Sequence, residues 1–123
     1  MNFFKWLLVR DLRSVEQRNR IDDKRALFRV GRETWRYTEG ERAVDIYIEG
    51  VGKELDLDTS SVNFWHFEKF RQYDPRERLP SLPNEKISDA EREDIILRVT
   101  NFLRERFGYK VFIMRPNPTE SKP

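Results

Sequence analysis

No cysteine occurs in this chain of 123 residues. That excludes a disulfide framework, a thiolate metal site and a cysteine nucleophile, and it suits a reducing compartment. Glycine is scarce, five residues in all, which leaves little material for loops that cradle phosphate. No phosphate loop, Gly-x-Gly-x-x-Gly, His-Glu-x-x-His or nucleophile elbow is present. The single histidine, His66, lies between Trp65 and Phe67. A lone imidazole can serve as a general base, but one set between two aromatic rings reads first as structural. Long hydrophobic runs are also missing. The N-terminal stretch Met1-Asn-Phe-Phe-Lys5-Trp-Leu-Leu-Val9 has Lys5 inside it and Arg10 and Asp11 after it, so neither a signal peptide nor a membrane span is expected. No enzyme activity, cofactor or metal ion is predicted.

Charge and aromatic residues are plentiful. Charged residues make up 37% of the chain and the net charge is only +2, yet the signs are unevenly placed. Residues 1 to 38 carry ten Lys or Arg against five Asp or Glu, residues 39 to 70 three against eight, and residues 71 to 123 eleven against nine. Basic and acidic blocks of this kind can neutralise each other within one fold. Nine Phe, four Tyr and three Trp supply enough buried area for one core, and the length fits a single domain.

The best-specified element runs from 88 to 108. Ser88-Asp-Ala-Glu91 is a capping box, Ile95, Val99, Phe102 and Leu103 form an apolar stripe at helical spacing, and Gly108 permits the left-handed turn that ends a helix. Arg92, Glu93, Arg98, Arg104 and Glu105 occupy its other side. Near the start, Phe4, Leu8, Leu12 and Val15 predict an amphipathic helix over residues 3 to roughly 18, its polar side basic through Arg10, Arg13, Arg18 and Arg20.

From Ala26 the period changes to two. Phe28 and Val30, then Trp35 and Tyr37, then Val44, Ile46 and Ile48, then Leu55 and Leu57 alternate, punctuated by Gly31, Thr38-Glu-Gly40-Glu41 and Gly50-Val-Gly52. These features predict an α+β domain: an antiparallel meander of four or five strands, with both helices covering its buried face. The N-terminal helical segment spans 1–25, the core 26–114 and a frayed tail 115–123. Residues 62 to 73 fit either a short helix or a strand, and the proline-bearing stretch from Asp74 to Glu85 reads as a surface connection.

Two surfaces invite a functional reading. If Val44, Ile46 and Ile48 point inward, Asp45 and Glu49 point outward beside Glu54, Asp56 and Asp58 of the next strand. Like charges across strands repel. Arg32 or Arg36 of the same chain, a basic partner protein, or a divalent cation would each relieve them, the last without the Gly and terminal Glu of a calcium loop. The alternative surface is a nucleic-acid platform on Arg29, Arg32, Trp35 and Arg36, where arginines and aromatics interleave. No recognised nucleic-acid motif accompanies it.

The order of parts adds a resemblance. A meander carrying Trp35-Arg-Tyr37 and Asp45-Ile-Tyr-Ile48 is followed by Ser61 to Trp65 and a proline-bearing connection. Ile87-Ser-Asp-Ala-Glu91 then opens a helix ending Phe-Leu-Arg-Glu-Arg-Phe-Gly108 before a last strand. Over roughly residues 28 to 114 this layout resembles the small immunity proteins of bacterial polymorphic and contact-dependent toxin systems. The resemblance implies a cytoplasmic, non-enzymatic protein that binds a cognate toxin domain. It implies no particular binding residues and leaves oligomeric state open.

Overall fold

The computed structural model describes residues 15–67 and 84–115. The α+β architecture is as expected. Strands β1 (Arg25–Arg29), β2 (Thr34–Glu39), β3 (Arg42–Val51) and β4 (Glu54–Asp58) form the antiparallel meander. A 3-10 turn, Thr59–Ser61, leads to β5 (Phe64–Phe67), and β6 (Asn84–Lys86) precedes helix α1 (Asp89–Phe107) and strand β7 (Lys110–Met114). The sheet has seven strands, more than the four or five expected, because 64–67 and 84–86 also pair. β7 lies beside β4 and parallel to it. This last pair therefore departs from the antiparallel meander that the sequence predicts.

Helix α1 forms where its caps and apolar stripe place it. Ser88 Oγ accepts from the Glu91 N–H at 3.2 Å, Glu91 accepts from the Ser88 N–H, and Gly108 ends the helix at φ 73°. Ile95, Ile96, Val99 and Leu103 are buried against the inner face of the sheet, where they meet Leu27, Trp35, Tyr37, Val44, Ile46, Ile48, Leu55, Leu57 and Trp65. Burying each large aliphatic chain contributes roughly 1.5–3 kcal/mol. Phe102 is only partly buried and touches Phe107 edge-on, 5.9 Å between ring centres.

The helix is also fastened by three arginines that the sequence assigns to its solvent side. Arg92 donates to the Val62 carbonyl at 2.7 Å, Arg98 to the Tyr37 hydroxyl at 2.8 Å and Arg104 to the Val111 carbonyl at 2.9 Å.

The one described turn of the predicted N-terminal helix packs on the other face of the sheet from the one expected. Of its predicted span only 15–18 is described; that turn is helical, and Val15 packs with Ala26, Phe28 and Val30. This cluster sits on the outer face, opposite α1. β1 is buried on both sides, Leu27 inward and Ala26 and Phe28 outward, so it needs a cover on each face. Of the ambiguous segment 62 to 73, Phe64–Phe67 forms a strand in which Trp65 is buried and Phe64 exposed, and 68 to 73 lies outside the described residues. Residues 74–83 of the proline-bearing connection and residues 116–123 of the predicted tail also lie outside the described residues.

Candidate functional site

The outer face of the β3–β4 hairpin carries the carboxylates that strand alternation assigns to it. Glu49 lies directly opposite Asp56, and Val51 opposite Glu54. The hairpin holds this geometry through Gly50, where β4 presses closest. A Cβ on Gly50 would sit 2.2 Å from the Glu54 carbonyl oxygen and 2.9 Å from the Leu55 Cα, so no side chain fits there.

The five predicted carboxylates do not share one fate. Asp45 is neutralised from within, since Arg36 on β2 donates to it twice, at 2.8 and 3.1 Å, through a side chain that is 1% exposed. A buried guanidinium demands such a partner. Asp58 caps the 3-10 turn, accepting from the Ser60 N–H at 2.9 Å and the Ser60 hydroxyl at 2.6 Å. The predicted site therefore contracts to Glu49, Glu54 and Asp56, all exposed. None of these three has a salt bridge among the described residues.

Around this trio the structure adds groups that sequence reasoning missed. A groove of about 520 Å³ is lined by Glu33, Glu49, Glu54, Asp56, Arg29, Arg32, Gly50, Val51 and Phe112. Four carboxylates face two guanidiniums, leaving −2. Arg29 turns its N–H groups to the Gly31 and Arg32 carbonyls of its own turn. Tyr47 donates to Glu33 at 2.5 Å and lies 3.4 Å from Glu49. The bond to Glu33, the nearby carboxylate charges and partial desolvation push its phenol up to about 12. Val51, Phe112 and Met114 stand exposed beside the carboxylates. Their signal was present in the alternation of β7, but its partner strand was not.

The alternative nucleic-acid platform does not assemble. Trp35 is 7% exposed, inside the inner core and edge-on to Phe107, while Arg36 is buried on the outer face beneath Asp45. Only Arg29 and Arg32 reach solvent. Alternation puts adjacent residues on opposite faces, so Trp35 and Arg36 cannot present one surface. His66 is half-buried on β5, opposite Ala43.

Among the described residues no group of His, Cys, Asp and Glu is arranged to hold a metal ion, and no helix is long and apolar enough to cross a membrane. Comparison with protein-family models, with characterised proteins and with solved structures returns no match.

Proposed function

We propose that this protein is a non-enzymatic, cytoplasmic binding domain that neutralises a basic partner, a cognate bacterial toxin domain, through the outer face of the β3–β4 hairpin. The observation that carries the reading is the direct opposition of Glu49 and Asp56 across two paired strands, with Glu54 beside them and no salt bridge to any of the three among the described residues. Like charges in that position destabilise the isolated hairpin. A cationic surface brought against it would remove the repulsion and gain the apolar contacts offered by Val51 and Phe112. The layout resemblance to immunity proteins points the same way.

Charges exposed to this degree steer encounter more than they add affinity, so association should be fast and should slow with added salt. The test starts from the neighbouring gene, where a toxin domain is the expected product. Co-expression with wild type should restore growth, and the purified pair should associate with a salt-dependent on-rate. Glu54→Lys with Asp56→Lys is the informative variant, because Asp58 is committed to its cap and its loss would confuse folding with binding. Retention of both protection and on-rate by the folded double variant rejects the acidic face as the binding surface.

A further inference from the structure

The two ends of the sheet are closed differently. At β1, chain residues 19–21 cover the edge: the Leu27 N–H donates to the Asn19 carbonyl at 3.1 Å and the Ile21 N–H to the Arg25 carbonyl at 2.8 Å, with a bridge from Arg20 to Ala26. At the opposite end, among the described residues, β7 pairs with β4 alone. The Lys110 N–H donates to the Lys53 carbonyl at 2.8 Å, and the Met114 carbonyl accepts from Thr59 Oγ1 at 3.0 Å. Even-numbered residues of β7 thus turn their backbone groups toward β4, and Val111 and Ile113 turn theirs outward. Among the described residues, only the Val111 carbonyl of those outward groups has a partner, Arg104, and a carbonyl has a second lone pair.

This edge also lacks the usual protection by proline, bulge or inward charge. Phe112, Ile113 and Met114 are 51%, 37% and 54% exposed.

From this we infer that two copies of the chain associate through antiparallel pairing of β7 with β7, with Phe112 opposite Phe112 of the second copy on the two-fold axis. In that register Val111 stands opposite Ile113 of the second copy. These are the residues whose N–H and C=O groups face outward, so each pair can exchange both hydrogen bonds. The two Phe112 rings meet in the closer, non-hydrogen-bonded position, where aromatic pairs interact across strands. Charge fits as well. Lys110 falls opposite Met114 of the second copy, and Met114 is in register with Asp58 on its own β4. The ammonium can then extend over Met114 toward the Asp58 oxygen that the cap leaves free, once in each direction. Two other described cations at this edge are already engaged, Arg104 with the Val111 carbonyl and Arg115 with Glu93 at 2.5 and 2.8 Å. A shifted register would set Lys110 nearer its own copy and lose one Val111–Ile113 exchange. Both acidic hairpins would lie on the same side of one continuous sheet.

Sedimentation equilibrium on the full chain, combined with amide hydrogen exchange at low and high protein concentration, tests the pairing. The expected result is a reversible species of twice the 15.0 kDa chain mass, with the Val111 and Ile113 amides becoming protected as it forms. Ile113→Pro removes an outward N–H that no bond among the described residues uses, and should weaken association about tenfold or more, the cost of an unpaired buried carbonyl. Lys110→Glu, which leaves the backbone untouched, should weaken it too and abolish its sensitivity to salt. A monomer at every concentration overturns the inference. So does a dimer in which the Val111 and Ile113 amides exchange as they do in the monomer.

Discussion

Two corners of the sheet treat their carboxylates in opposite ways. At the β2–β3 turn, Glu39 accepts from Arg25 at 2.7 Å, Arg42 at 2.7 Å and the Tyr37 hydroxyl at 3.1 Å, with Arg98 at 3.8 Å. Arg42 in turn reaches Glu91 at 3.4 Å and lies over the Trp65 ring at 4.2 Å. At the β3–β4 turn, Glu49 faces Asp56 and forms no salt bridge among the described residues. The same chain therefore draws arginines from β1, β3 and α1 onto a single glutamate and leaves a pair of carboxylates opposed. Local self-complementation is available to this sequence. Its absence at one corner is what singles that corner out as a binding surface.

The largest expected effect comes from Asp45, which belongs to the acidic strand but is treated like Glu39. Asp45→Ala leaves the buried Arg36 guanidinium without its counter-ion and should cost about 3 kcal/mol, read from the urea midpoint. Next is Glu39→Gln, expected to lose about 2 kcal/mol of charge-assisted hydrogen bonding. Its pH dependence sharpens the comparison. Burial pushes the Glu39 carboxyl up, but the hydrogen bonds from Arg25, Arg42 and Tyr37 outweigh burial and hold it below its ordinary value of 4.5. A carboxyl lowered in the fold stabilises fully above its unfolded value, and that stability fades as pH falls through the folded one. The gap between wild type and Glu39→Gln should therefore be complete above about pH 5 and close in stronger acid. Gly50→Ala should cost about 2 kcal/mol, because a methyl group there meets the backbone of β4 rather than a movable side chain. If Gly50→Ala is neutral, the opposition of Glu49 and Asp56 is less tightly imposed than the geometry indicates.

The sequence was most informative where several local signals agree. Ser88, Glu91 and Gly108 bound α1 to within a residue, since cap, stripe and stop coincide. Alternation from Phe28 to Leu57 identified the meander and put the hairpin carboxylates on one face. It did not identify their partners. That Arg36 reaches Asp45, and that Asp58 caps a turn, depends on strand register and on the 3-10 turn between β4 and β5, neither of which has a local signature. The three residues of β6 are too few to show a period. For β7 the strand itself was readable, but its pairing with β4 is a long-range contact with no local signature, and the exposure of Phe112 next to Asp56 follows from that pairing. Arg92, Arg98 and Arg104 look solvated by helical phase, yet long side chains reach back over the helix edge to the sheet.

A double-mutant cycle on Glu49→Gln and Asp56→Asn tests most directly whether the fold leaves this pair opposed, as the proposed binding face requires. The expected result at low salt is a repulsive coupling of about 0.5 kcal/mol that shrinks as salt is added, each single substitution stabilising the protein and the second adding less than the first. A coupling of zero, or a favourable one, at low salt would contradict it.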